Sequence, residues 1–207
     1  VGVKSILLDG QLKLNVAGFY IDWSQIQLVR LTVLADNTAV VGTDNAGDAV
    51  SKGLEVEATY VVSDALQLGT SFTYNEATLE SVLEGVSFVP GSTLPGTPKF
   101  SMANHLQYAA EDLLGDLSGY VRLSHSYVDE MVSNIDNADN LYSDSYNRFD
   151  LRAGLYVGNY EVSLYVDNLS NNDAVTSRYD LGLSNWTTFK AFRLKPRTFG
   201  LNVRIAF

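Results

Sequence analysis

Residues 195–207 read KPRTFGLNVRIAF, and from Thr198 onward large apolar and small or polar residues alternate. Phe199, Leu201, Val203, Ile205 and Phe207 fall on one face, and Thr198, Gly200, Asn202, Arg204 and Ala206 on the other. Successive side chains of a strand point to opposite faces, so this is a two-faced β-strand. The termini of soluble domains usually fray into polar coil. A face that stays apolar up to Phe207 therefore calls for apolar surroundings at that end.

Upstream the same period recurs. Residues 146–157, YNRFDLRAGLYV, set Phe149, Leu151, Ala153, Leu155 and Val157 against Arg148, Asp150, Arg152 and Tyr156. Gly158-Asn159 turns them into residues 160–169, where Tyr160, Val162, Leu164 and Val166 oppose Glu161, Ser163, Tyr165 and Asp167. In residues 49–62, Leu54, Val56, Ala58, Tyr60 and Val62 oppose Ser51, Gly53, Glu55, Glu57 and Thr59. Further strands are expected over 1–8, 11–27, 66–75, 98–109 and 117–128, which brings the total to about nine. Asp9-Gly10 is a strong hairpin signal. Two lapses stand out: Asn104 falls on an apolar face, and alternation fails around Gly18, Phe19 and Ile21, where a bulge is expected.

The connections alternate in length. Short turns are expected at 9–10, 63–65, 110–116 and 158–159, and long polar loops at 28–47, 76–97, 129–144 and 170–195. This predicts an up-and-down antiparallel meander with tight turns on one rim and long loops on the other. Strands of about 9–11 residues with one apolar face and this loop asymmetry fit a transmembrane β-barrel better than a soluble sandwich. In hydrocarbon every backbone amide must be paired, so a closed sheet is required and its apolar face meets lipid. Glu55, Glu57, Arg148, Asp150, Arg152, Glu161, Asp167 and Arg204 then line the lumen. Nine is an odd number, whereas single-chain bacterial barrels are even and closed, so the chain reads as part of a larger barrel.

Composition narrows the function. The 207 residues carry 24 acidic against 14 basic groups, a formal charge of −10, which argues against a nucleic-acid partner. There is no cysteine, so disulfides and thiolate metal sites are excluded. No run approaches the roughly 20 apolar residues of a membrane helix, a limit that does not touch strands. No catalytic site, metal site or cofactor is expected. His105 and His125 lie on different strands, the DNADN stretch at 136–140 lacks the glycine and distal glutamate of a calcium loop, and no nucleophile elbow or phosphate loop is present.

Several stretches together resemble one family. LKLNVAGFYIDWSQIQ (12–27), AVSKGLEVE (49–57), PGTPKFSMANHLQY (95–108), RFDLRAGLYVGNYEVSLYVDNLS (148–170) and PRTFGLNVRIAF (196–207) occur in the order found near the end of TonB-dependent outer-membrane receptors. The resemblance implies that residues 1–207 form the C-terminal segment of a barrel of about 22 strands, in the outer membrane of a Gram-negative bacterium. It implies active uptake of a ferric siderophore, cobalamin or similar nutrient, with a passive pore or a structural barrel fragment as the alternative. The implied partners are the remaining barrel strands, a plug domain and TonB, the last two reached through parts of the receptor outside this chain. Outer-membrane lipid, lipopolysaccharide and the barrel assembly machinery complete the set. Gly200, Val203, Ile205 and Phe207 are similar to the terminal signal that such proteins present for insertion.

The last long connection, SRYDLGLSNWTTFKAFRLK at 177–195, concentrates Arg178, Tyr179, Trp186, Phe189, Lys190 and Arg193. Cationic and aromatic groups on a barrel rim could hold an anionic, aromatic-bearing chelate by charge and stacking. The plainer reading is an interfacial aromatic belt, with the cations on lipopolysaccharide phosphates.

Overall fold

The computed structural model describes residues 1–33, 35–83, 89–115, 117–134, 141–180 and 189–206. Its strands are β1 (Gly2–Leu7), β2 (Leu12–Val33), β3 (Ala39–Val61), β4 (Leu66–Val82), β5 (Phe100–Leu114), β6 (Leu117–Val128), β7 (Val132–Asn134), β8 (Leu141–Tyr142), β9 (Tyr146–Val157), β10 (Tyr160–Asp167), β11 (Val175–Asp180), β12 (Phe189–Arg193) and β13 (Thr198–Ile205). Nine of them form one antiparallel sheet in the order β1-β2-β3-β4-β5-β6-β9-β10-β13. The pairs β7–β8 and β11–β12 are small hairpins within two of the outer connections. No described helix is long and apolar enough to cross a membrane.

Register assigns the faces. Leu7, Leu12, Tyr60, Leu68, Leu106, Leu123, Leu151, Val166 and Phe199 form one apolar row across all nine strands. The row starts beside a tight turn on β1 and ends beside a long connection on β13. On the opposite face runs Gln67, Gln107, Arg122, Arg152, Tyr165 and Gly200. Among the described residues nothing covers the apolar face: Leu164, Phe199 and Leu201 expose 64%, 70% and 61% of their surface. A soluble sheet would bury that face, so the arrangement is that of a membrane wall.

The hydrophobic core sits elsewhere. Ile26, Ala46, Ala49, Ala77, Leu79 and Leu94 are buried together, with Leu28 and Val82 packed against them. All of them lie at the long-connection end, where β2, β3 and β4 continue past the membrane-level sheet and residues 90–97 fold against β4. Leu94 N–H donates to Ala77 O at 2.9 Å, and Leu79 N–H to Ser92 O at 3.0 Å.

Several boundaries differ from the sequence expectation. Residues 28–47 are not a long loop: Leu28 pairs with Asp44 and Val33 with Ala39, so the hairpin continues to a short tip. The β-branched residues of 28–33 and 39–43 favour strand, and turn chemistry is confined to Asp36-Asn37-Thr38. There Asn37 has φ 64° and Asp36 Oδ1 accepts from Thr38 N–H at 2.9 Å. β4 runs on to Val82 rather than ending at Asn75, and β5 runs to Leu114 with a register shift after Ala110. The Asp9-Gly10 turn spans four residues, because Leu7 pairs with Leu12. The Gly158-Asn159 turn has the expected two residues, with Gly158 at φ 57°.

The expected bulge also moves. Pairing is unbroken through Gly18, Phe19 and Ile21 and shifts between Trp23 and Ile26 and again between Ile26 and Gln27. Gln25 there has φ 55°, and its N–H donates to Asp48 Oδ1 at 2.9 Å. Ser81 Oγ donates to Asp48 Oδ2 at 2.9 Å and accepts from Asp48 N–H at 3.1 Å. The Gln25 N–H, and then the Ser81 hydroxyl, hold the Asp48 carboxyl below its ordinary value. Alternation seemed lost because Phe19, Ile21 and Trp23 share the polar face, opposite Gly53, Ser51 and Ala49.

Candidate functional site

The polar face of β5, β6, β9, β10 and β13 forms an open cavity of about 530 Å³ lined by arginine, acid and tyrosine side chains. Arg148 Nε donates to Asp150 Oδ1 at 2.9 Å, and its Nη2 lies 3.9 Å from Asp167 Oδ1. Glu161 accepts from Tyr120 Oη at 2.9 Å and faces Arg204 Nη1 at 3.6 Å. Arg152 lies over the Tyr165 ring, 5.7 Å from its centroid. Two glycines make room for these rings. A Cβ on Gly200 would meet the Tyr165 ring, and one on Gly154 the Tyr120 ring, so the tyrosines lie flat across the wall.

The long connections form a layer above this wall. Arg178 Nη1 donates to Tyr142 O at 2.7 Å, Nη2 to Asp144 Oδ1 at 3.0 Å, and Arg178 N–H to Ser133 Oγ at 3.1 Å. Val175 N–H donates to Asp144 Oδ2 at 2.8 Å, and Asp144 N–H returns to Val175 O at 2.7 Å. Gly96 N–H donates to Val132 O at 2.8 Å, which joins the core at residues 90–97 to the β7–β8 hairpin. Buried Asn168 binds Asn172 O and Lys195 O through Nδ2, closing the base of the last connection.

Of the six residues singled out in that connection, Arg178, Lys190 and Arg193 have described side chains, and each makes separate contacts. Arg178 braces one outer hairpin to the other, and Arg193 Nη1 donates locally to Asp173 O at 2.8 Å. Lys190 is exposed, with Nζ 5.0 Å from the Phe192 ring centroid. The backbone pairs Tyr179 with Lys190 and Asp180 with Phe189. Trp186 lies outside the described residues, as do Phe207 of the terminal strand and the DNADN stretch at 136–140. Gly200, Val203 and Ile205 pair with Tyr165, Val162 and Tyr160, with Val203 and Ile205 on the apolar face. Sequence reasoning missed Phe19 and Trp23 as aromatics of the polar face, although continuing the Lys13, Asn15, Ala17 period through residue 23 would have found them.

The histidines point apart. His105 is on the polar face, against Gly69. His125 is on the apolar face, where Thr70 Oγ1 donates to Asn104 Oδ1 at 2.7 Å, Asn104 Nδ2 meets His125 Nδ1 at 3.0 Å, and His125 Nε2 meets Asn147 Oδ1 at 2.9 Å. This chain satisfies the polar lapse at Asn104, and His125 also stacks on Phe149 with centroids 4.6 Å apart. Among the described residues no three acids or histidines are grouped to hold a metal.

Comparison with known proteins decides the family. The family model described as TonB dependent receptor-like, beta-barrel, matches residues 1–169. The chain belongs to the TonB-dependent receptor family. Among solved structures, it is similar to the ferric yersiniabactin uptake receptor FyuA of Yersinia pestis, at 23% identity and a TM-score of 0.74, over 95% of this chain and 28% of that one. The siderophore receptor PiuA of Acinetobacter baumannii matches at 21% identity and 0.70, over 98% and 27%. The ferric-catecholate import receptor Fiu of Escherichia coli K12 matches at 25% identity and 0.67, over 98% and 26%. This chain thus spans under a third of each of these receptors, and no curated protein matches it. Within a TonB-dependent receptor the polar face is the lumen wall and the apolar face meets lipid.

Proposed function

We propose that residues 1–207 supply the wall and part of the outer layer of an outer-membrane importer, in a Gram-negative bacterium, that takes up an anionic, aromatic-bearing chelate of the ferric siderophore kind. Family membership supports transport. The observation that carries the reading is a lumen wall lined with arginine and tyrosine beneath outer connections that pack and hydrogen-bond into one layer. Such a layer holds binding groups in place before ligand arrives, which a passive pore has no use for.

In this reading Arg178 and Arg193 are braces, and ligand contact falls to Lys190 and the lumen-facing aromatics Phe19 and Trp23, with Tyr179, Trp186 and Phe189 as further candidates from the sequence. The outward face contacts lipid and, at the outer rim, lipopolysaccharide. Gly200, Val203, Ile205 and Phe207 form the segment read by the assembly machinery, and the plug, from another part of the receptor, carries the coupling to TonB. The test is uptake of iron-55 bound to catecholate and hydroxamate chelators in cells lacking the receptor gene, with and without TonB. Uptake of one chelate that needs both the gene and TonB is the expected result. Transport that continues without TonB would make the protein a passive pore.

A further inference from the structure

Arg122 and Arg152 are direct cross-strand partners on the lumen face. Two like charges placed opposite each other repel, and such a pair is tolerated where a counter-charge is supplied. The acids lining the same cavity do not supply it. Asp150 takes Arg148 Nε and Asn168 N–H, Asp167 faces Arg148, and Glu161 takes Tyr120 and Arg204. Among the described residues, no carboxylate oxygen lies within 4.0 Å of the Arg122 or Arg152 guanidinium. Arg122 Nη1 donates only to Gln107 Oε1 at 3.2 Å, and Arg152 rests on the Tyr165 ring. Both side chains open into the 530 Å³ cavity, whose tyrosines narrow the space around them.

We infer that Arg122 and Arg152 form a carboxylate-binding site in the lumen. Arg122 reaches to Gln107 on β5 and Arg152 to Tyr165 on β10, so the two guanidiniums offer separate sets of N–H donors that match the two ends of a small dicarboxylate, or one carboxylate each. Two sources carry that chemistry: an acidic side chain of the plug packed against this wall, or an anionic solute moving through the lumen. The inference does not depend on which nutrient is imported, because its readouts are anion binding and leak rather than iron uptake.

The experiment uses the full receptor in detergent and in planar bilayers, comparing wild type with Arg122→Gln/Arg152→Gln and Arg122→Lys/Arg152→Lys, with heat-modifiable gel mobility as the folding control. Succinate is the probe, titrated calorimetrically. If solutes occupy the site, succinate binds the wild type, binding weakens at least tenfold in the glutamine variant, and leak stays the same. If a plug carboxylate occupies it, succinate does not bind the wild type, but the glutamine variant shows a several-fold rise in bilayer conductance. In either case the lysine variant recovers part of the effect. Should the double variant not fold, Arg122→Gln alone carries the same readouts. A folded glutamine variant with wild-type conductance, together with no arginine-dependent succinate binding, would overturn the inference.

Discussion

At membrane level the sheet leaves Leu164, Phe199 and Leu201 open at 64%, 70% and 61% of their surface, whereas in the outer layer Ile26, Ala46, Ala49, Ala77 and Leu79 are at most 2% exposed. The same residue types are thus stabilised by different surroundings in one chain. Wall residues depend on lipid and on a fully paired backbone, and outer-layer residues depend on close packing against one another. Truncating a leucine should therefore have a different effect in the two regions.

The largest effect is expected from Leu79→Ala, which opens a cavity in the outer core and destabilises that layer by about 2–5 kcal/mol. Amide exchange of residues 76–82 and 90–97 in the full receptor should accelerate while the membrane-level amides stay protected; uniform acceleration would mean that the two regions unfold as one. In the wall, Leu106→Ala leaves no cavity that lipid cannot fill, so the loss is about 1–2 kcal/mol of transfer energy alone. Leu106→Arg puts a charge on the lipid face at about 2–4 kcal/mol, while Thr73→Lys, on the lumen face beside Glu55, stays within about 0.5 kcal/mol. Denaturant unfolding in lipid vesicles measures all three, and equal losses for Leu106→Arg and Thr73→Lys would break the assignment of faces.

The Thr70-Asn104-His125-Asn147 chain sharpens the comparison from within the wall. His125→Leu leaves Asn104 Nδ2 and Asn147 Oδ1 without their partner on an apolar face, for about 1–3 kcal/mol. Combining it with Thr70→Val and Asn104→Leu removes most of the stranded polar groups and should regain much of that loss. A triple variant worse than the single one would show that this flank lies in water. The smallest effect concerns Asp48. Its folded pKa is lowered, so the stability it adds to the bulge is present above its ordinary value of 3.8 and is lost as pH falls through the folded value. Protection of the Gln25 amide should differ between wild type and Asp48→Asn at neutral pH, and that difference should vanish in acid.

The wall was legible in the sequence because lipid on one side and a polar lumen on the other impose period 2 on every strand, as in residues 146–157. Above the membrane that constraint ends. Residues 28–33 and 39–47 no longer alternate cleanly, so a strand pair resembled a loop although its valines and threonines favoured extension. Phe19 and Ile21 looked like lapses because an apolar residue was assumed to face lipid, when the upper lumen wall is itself partly apolar and aromatic. In the last connection, Arg178 looked free for ligand because its partners, Tyr142 and Asp144, are 36 and 34 residues away in sequence. Long-range partners of this kind leave no periodic trace.

The nine-residue apolar row that begins beside a tight turn at Leu7 and ends beside an outer connection at Phe199 climbs the membrane as it circles the wall, as tilted strands require. A map of tolerated substitutions plotted on this chain would therefore be a helical stripe rather than a horizontal belt. Neighbours in one hydrogen-bonded row would tolerate polar replacements to different degrees, with those at the two ends most permissive.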